Sequence, residues 1–413
     1  MKYFAWFLPC IAASIAALHA ESVAVQLHAD GTFLRGGNPY FIKGAGGDKN
    51  LPSMVAAGAN SFRTWVQNDL PTLLPEADKL GLTVCAGIWL EPECNWFSYG
   101  NPEHCERQFK RVREVVLQFK DSPALLAWGL GNEIEGDGKN VALWKQINRL
   151  AEMVHREDPA HPAFIALAGM SQDKAANLNE HAPKLDFAGI NTYGALPNLR
   201  ETLAKQKWTR PFAVTEFGAN GFWERPKTSW GAPIEQTSNE KAIAVRKAYE
   251  KAIRPAGQCI GSYVFIWGQK QEATSTWFGA FTKSGEATPL VETMQELWTG
   301  KLPGNRAPVV TSLKNETKNN ILSAGSSLKA KVEASDPDGD PLSYRWEITK
   351  EKAARNKIGH ELPAEVLPIK PKPEDGNTVE FTVPEKAGEY RVFVYVLDGK
   401  GHAGTANFPI QVK

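Results

Sequence analysis

From residue 21 to about residue 300, short apolar runs alternate with longer stretches in which apolar side chains recur every three or four positions. The first pattern predicts buried strands and the second amphipathic helices. Candidate strands fall at 41–45, 60–66, 82–90, 125–131, 163–168, 186–192, 211–216 and 260–267, each rich in Val, Ile, Phe, Leu or Trp. The clearest helices between them are 103–121 and 139–157. In the first, Phe109, Val112, Val115, Val116 and Phe119 share one face; in the second, Val141, Trp144, Ile147, Leu150, Ala151 and Val154 do the same. Eight strand–helix pairs in roughly 280 residues is the arithmetic of a (β/α)8 TIM barrel. An open doubly wound sheet is the rival α/β arrangement, but no glycine-rich phosphate loop follows the first strand.

Beyond Gly300 the periodicity changes. Leu302-Pro303-Gly304-Asn305-Arg306-Ala307-Pro308 has the turn chemistry of a linker. Short alternating strands follow at 326–334, 342–348, 378–383, 389–397 and 406–412, which predict a small all-β immunoglobulin-like sandwich. The Lys- and Pro-rich stretch 350–377 reads as a long exposed loop. At the other end, Lys2 precedes an apolar run from Tyr3 to Leu18, shorter than a membrane span and suited to a secretory signal peptide. Cleavage is expected after Ala20, with Ala16 as the alternative. The division read from the sequence is therefore signal peptide 1–20, barrel 21–302 and sandwich 303–413, in a secreted, periplasmic or extracellular protein without a membrane span.

Lys and Arg number 47 against 46 Asp and Glu, a formal net charge of +1. Such a balance builds no long-range field for polyanions, so nucleic acid is not an expected partner. Removing the leader leaves Cys85, Cys94, Cys105 and Cys259. In an exported chain, Cys94 and Cys105 are the favoured disulfide pair, since both lie in one polar loop and helix start, whereas Cys85 and Cys259 read as buried thiols. The chain has no His-Glu-x-x-His, Cys-x-x-Cys, Gly-x-Ser-x-Gly or phosphate loop. Metalloprotease, zinc-site, α/β-hydrolase and nucleotide chemistry therefore lack their carriers.

In a parallel barrel the reacting groups gather at the carboxyl ends of the strands. The fourth strand ends Gly131-Asn132-Glu133 and the seventh ends Val214-Thr215-Glu216. A strand buried on both faces gains nothing structural from a terminal glutamate. Paired carboxyls across a cleft are what glycoside hydrolysis needs: one protonates the departing oxygen, and the other attacks the anomeric carbon or activates water. Glu91 and Glu93, after the third strand, are rival carboxylates, read slightly more often as solvated loop charges. Loop aromatics including Trp65, Trp89, Trp96, Trp223, Trp230 and Trp277 offer flat faces for sugar rings, although ordinary packing accounts for about half of such residues.

These residues resemble the retaining glycoside hydrolases of clan A. The closest resemblance is to the catalytic barrel of glycoside hydrolase family 2, with family 5 and the fungal β-1,3-glucanosyltransferases as relatives. It rests on Asn132-Glu133, on Glu216, on Arg63 in Ser61-Phe62-Arg63-Thr64-Trp65, and on a hairpin-like opening from Gly31 to Gly44. It covers roughly residues 30 to 298. The resemblance implies that Glu133 is the general acid/base, Glu216 the nucleophile and Asn132 a partner of the sugar 2-hydroxyl. It further implies that Arg63 and Tyr193 hold Glu216, and that Trp267 floors the −1 sugar site. Trp65, Trp89 and Trp223 are expected substrate contacts. The family's large N-terminal sandwich domains have no counterpart here, which weighs against its exo-acting galactosidase, glucuronidase and mannosidase activities.

The segment Asp336-Pro337-Asp338-Gly339-Asp340 with Trp346 resembles the turn and Trp-bearing strand of PKD-like and cadherin-like immunoglobulin-type domains of secreted bacterial proteins. Asp336, Asp338 and Asp340 are the residues to consider for a structural calcium, but a tight turn satisfied by Asp side chains is the favoured reading, and no cofactor is expected. The functional expectation is a secreted retaining glycosidase or transglycosidase acting on β-linked poly- or oligosaccharides such as β-glucan. The reading from another class is a carbohydrate-binding or adhesion protein on a barrel that has lost its catalysis.

Overall fold

A computed structural model describes residues 22–317, 320–356, 361–368 and 370–413; the signal peptide read at 1–20 lies outside them. The strands β1 (Ile42–Gly46), β2 (Ser61–Arg63), β3 (Thr83–Ile88), β4 (Leu125–Asn132), β5 (Ala163–Ala168), β6 (Phe187–Asn191), β7 (Phe212–Phe217) and β8 (Cys259–Val264) pair in chain order. All pairings are parallel, and β8 closes onto β1 with Gly261 opposite Ile42 and Val264 opposite Ala45. Around this closed barrel run α1 (Leu51–Ala56), α2 (Leu70–Leu80), α3 (Pro102–Phe119), α4 (Val141–Glu157), α5 (Gln172–His181), α6 (Leu199–Lys205), α7 (Ser238–Ala252) and α8 (Pro289–Thr299). The expected (β/α)8 architecture is present.

Local chemistry explains where the helices begin. The Asn101 side chain accepts hydrogen bonds from the Glu103 and His104 N–H groups at the start of α3, and Asn140 does the same for Ala142 and Leu143 at α4. Thr237 and Glu240 form a reciprocal capping box at α7. Alternation along the strands then sorts side chains between two cores. In β3, Val84, Ala86 and Ile88 face the helices, while Cys85 faces the barrel interior.

The lower interior is filled by strand residues such as Leu126, Phe164, Phe187 and Tyr263, together with Val25 and Phe33 from an N-terminal hairpin. That hairpin, Val25–Leu27 with Phe33–Arg35, is antiparallel and is anchored by the Val25 N–H to the Ala160 carbonyl at 2.8 Å. It caps the barrel at the amino ends of the strands, leaving the opposite end open.

After α8 the chain forms two sheets. One contains β9 (Val309–Asn315), β11 (Ser327–Ser335) and β13 (Thr378–Thr382); the other has the order β10 (Ile321–Leu322), β15 (Ala403–Val412), β14 (Gly388–Leu397), β12 (Ser343–Lys350). Both contribute to one apolar cluster that includes Leu328, Val332, Trp346, Phe381, Val392 and Ile410. The strands β9 and β10 have no counterpart in the sequence expectation. Only Val310 and Leu322 of their side chains are buried, so both lack a clean alternation. Among the described residues no helix is long and apolar enough to cross a membrane.

One cysteine expectation is corrected, the Cys94–Cys105 disulfide, while Cys85 and Cys259 are buried thiols as expected. Cys94 and Cys105 are free thiols. Cys105 turns inward from α3 with its Sγ against the Tyr99 carbonyl, and the Cys94 backbone is held in a bridge with Phe97.

Gly87 shows how closely the strands approach the site. A Cβ there would strike the Thr64 carbonyl and lie 2.7 Å from Trp65 Cα. Gly87→Ala is expected to lower stability by about 1–3 kcal/mol through overpacking. Denaturant titration checks this, and wild-type stability would refute the close approach.

Candidate active site

The open end of the barrel carries a cleft of about 780 Å³ lined by residues from several strand ends. Glu216, in β7, sits in it with three donors converging on its carboxylate. Arg63 Nη1 lies 3.0 Å and Trp65 Nε1 2.8 Å from Oε1, and the Tyr193 hydroxyl lies 2.8 Å from Oε2. Donors without acceptors make the surroundings of an ionised carboxylate. Tyr193 remains a donor because burial, and then the charge of Glu216, push its hydroxyl well above its usual range.

Glu133 follows β4 and lines the same cleft, with a backbone φ of +52°. That left-handed conformation is costly for a side chain with a Cβ and is held by the Glu133 N–H to the Ala166 carbonyl at 2.8 Å. Its Oε1 accepts from Asn191 Nδ2 at 2.7 Å. Burial raises its pKa above the ordinary value of 4.5, and the charges of Glu216 and Glu135 add to the rise, against the Asn191 hydrogen bond and Arg63. One carboxyl is thus surrounded by donors, and its neighbour is biased to hold a proton. That is the division of labour required of a nucleophile and a general acid.

Asn132 links the two. Its Oδ1 accepts from Arg63 Nη2 at 2.7 Å and Asn191 Nδ2 at 3.1 Å, which turns its amide N–H groups toward the cleft. Asn191 is itself fixed by the Thr215 hydroxyl at 2.7 Å. Sequence reasoning passed over Asn191, although its place at the carboxyl end of β6 was the available signal. Glu224, Phe265, Ile266, Lys270 and Glu272 also line the cleft and were missed. They belong to the loops after β7 and β8, where no strand rule applies.

Trp65, Trp89 and Trp223 all line the cleft, the last two 44% and 53% exposed. Trp65 does more than present a face, since its indole N–H is bonded to Glu216. Trp267 is corrected: it is fully buried, packed on Phe281 and Trp298, and is absent from the cleft lining. The reason is register. Strand β8 ends at Val264, not at 267, so Phe265 and Ile266 reach the cleft and Trp267 turns back into the helix-facing core.

The rivals Glu91 and Glu93 lie outside the lining. Glu91 is paired with Arg111 at 3.0 Å and bonded by Gln108; Glu93 accepts from the Tyr99 N–H and Asn140. Both pin the loop after β3. In the sandwich, Asp338 does not join a cation site. It accepts the Arg306 N–H, while Asp336, Asp340 and Asp398 are the carboxylates that approach within 4.8 Å of one another. Asp336 Oδ1 accepts the N–H groups of Asp338 and Asp340 as a turn, and Lys400 Nζ lies 2.6 Å from Asp340.

A parallel eight-stranded barrel with carboxyls at the ends of β4 and β7 has the architecture of a glycoside hydrolase. The family described as "Glycosyl hydrolases family 2, TIM barrel domain" matches residues 48–229, a span that contains Arg63, Glu133, Tyr193 and Glu216 and stops before β8. The match and the fold support a glycosidase. No curated protein matches the chain. Among solved structures, the chain is similar to a β-glucuronidase of Bacteroides uniformis at 17% identity and a TM-score of 0.54, covering 95% of this chain and 48% of that one. It is similar to a β-D-glucuronidase of Dictyoglomus thermophilum at 19% identity and 0.55, covering 68% and 54%. A putative β-galactosidase of Bacteroides fragilis aligns at 15% identity and 0.50, covering 95% and 58%. The chain spans about half the length of these proteins, and at such identity the likeness is one of fold.

The raised pKa of Glu133 has a consequence for stability. A carboxyl whose folded pKa exceeds its unfolded one stabilises the fold at low pH, and that contribution is lost as pH rises through the folded value. Glu133→Gln cannot ionise, so it is expected to melt above the wild type at pH 7, with the difference vanishing near pH 4. Thermal melts across that range check the sign, and a lower melting temperature at pH 7 would contradict it.

Proposed function

We propose that the protein is a retaining β-glycosidase, with Glu216 as nucleophile and Glu133 as acid/base, acting on neutral β-linked poly- or oligosaccharides such as β-glucan. The observation that carries this reading is the contrast between the two carboxyls: three donors on Glu216, burial and neighbouring negative charge on Glu133. In the first step the Glu133 proton passes to the glycosidic oxygen as Glu216 bonds to the anomeric carbon and the leaving sugar departs. In the second, Glu133 takes a proton from water or a sugar hydroxyl, which attacks the same carbon and releases Glu216. Water gives hydrolysis and an acceptor sugar gives transfer. In this reading the amide N–H of Asn132 serves the sugar 2-hydroxyl, and Trp89 and Trp223 the C–H faces of the rings.

Charge supports a neutral substrate. Of the charged residues lining the cleft, Glu133, Glu216, Glu224 and Glu272 are acidic and Lys270 alone is basic. Lys270 Nζ already lies 2.6 Å from Glu272, and Arg63 is committed to Glu216, Asn132 and the Thr215 carbonyl. A uronate carboxylate entering this cleft would be desolvated without an uncommitted cation to meet it. The apolar leader read at 1–20 directs such an enzyme outside the cytoplasm, where polymeric glycans are found, and the C-terminal sandwich is taken as an immunoglobulin-type module.

Product analysis on soluble β-glucans, β-mannans, β-galactans and an aryl β-glucuronide tests the proposal. The wild type should release new saccharides from a neutral glycan with retained anomeric configuration, and leave the glucuronide intact. Glu216→Ala should abolish turnover, and Glu133→Gln should reduce it by about 10²–10⁴-fold. Glycan binding without turnover by the wild type would instead establish the carbohydrate-binding reading, and cleavage of the glucuronide would overturn the neutral-substrate argument.

A further inference from the structure

The sandwich meets the barrel at α7 and α8 and at the loops that follow β7 and β8, which also form part of the cleft. Glu235, at the end of the first loop, has only 1% of its side chain exposed and is paired with Lys241 of α7. Its carboxylate also accepts from Thr274 Oγ1 at 2.7 Å and Thr276 Oγ1 at 2.8 Å, both in the second loop, and from Asn407 Nδ2 of β15 at 2.6 Å. The other end of the Asn407 amide accepts from Arg391 Nη1 at 2.6 Å. Arg391, on β14, is bonded to Glu351 through Nε at 2.9 Å and donates to the Pro233 carbonyl of the first loop at 2.8 Å. Two buried ion pairs, one in each domain, are therefore joined by a single amide.

Such groups are expensive to bury and lose most when half satisfied, so a complete network tolerates one docking geometry where an apolar contact would tolerate several. Its far side reaches the site. Thr276 leads into Trp277 and Phe278. The Trp277 indole N–H donates to the Asn220 carbonyl of the first loop at 2.9 Å. The Phe278 ring lies 5.3 Å from Tyr193 and 5.5 Å from Phe265, and Tyr193 holds Glu216.

We propose that the sandwich is a structural wall of the catalytic unit, in which Asn407 and Arg391 act as positioning residues that lock the loops after β7 and β8, through Glu235, into the shape that aligns Tyr193 with Glu216. The mechanical part stands on the contacts alone; the effect on turnover rests on the glycosidase reading above.

The test is Asn407→Ala in the full chain, read by amide hydrogen exchange and by steady-state kinetics on whichever glycan the wild type cleaves. Exchange in 218–237 and 265–281 should rise at least about tenfold, kcat should fall about tenfold or more, and KM should rise as the loops bearing Trp223 and Lys270 loosen. Asn407→Gln should recover part of both. Phe33→Ala, in the barrel floor, supplies a destabilised control that should leave exchange in these two loops at the wild-type level. Thr276→Val removes one donor to Glu235 and serves if Asn407→Ala does not fold. A folded Asn407→Ala or Thr276→Val variant with wild-type exchange in both loops would overturn the proposal. Should the wild type cleave nothing, the exchange result still decides the mechanical role while the glycosidase reading fails separately.

Discussion

The mouth of the barrel depends on one buried ion pair. Arg63 and Glu216 have 3% and 8% of their side chains exposed, and at that depth each charge costs several kcal/mol to remove from water. The cost is offset by the further partners that each charge finds. Arg63 also reaches Asn132 and the Thr215 carbonyl, and Glu216 also receives Trp65 and Tyr193. Strands β2, β4, β6 and β7 are thereby referred to a common point, and the position of Glu133 follows, since Asn191 holds both it and Asn132. Loss of one partner would leave the other charge buried and unpaired, a penalty of about 3–5 kcal/mol.

The same physics recurs at the boundary with the sandwich, for a different end. There the charges are remote from any reacting atom, and their full satisfaction fixes orientation. An arrangement of this kind blurs the line between a catalytic domain and an appended module. The open end of the barrel draws rigidity from residues more than 100 positions downstream of its last strand.

Much of this was legible along the chain because the barrel imposes strict rules on its strands. Residues buried on both faces must be apolar, so Glu216 and Asn132-Glu133 stand out, as does Arg63. Regularity ends where the strands end. Three residues of error at the end of β8 were enough to exchange Phe265 for Trp267, because both are large aromatics and pattern alone does not reveal which way the chain turns after Val264. Asn191 was overlooked because an isolated asparagine carries no pattern, and its value lies in the three residues its side chain touches. Asp338 looked equivalent to its neighbours in an alternating run, yet the turn made by Asp336 swings it toward Arg306. The Glu235 network joins loops and two domains, and its members are separated by up to 172 positions. No local rule could assemble it.

The hairpin beneath the barrel gives the molecule a single doorway. With Val25 and Phe33 seated among the lower barrel residues, the described residues leave no passage from one end to the other. Whatever enters the cleft must leave by the way it came. For the glycosidase proposed above, the outgoing sugar and the incoming acceptor or water would therefore share one space bounded by the rim loops.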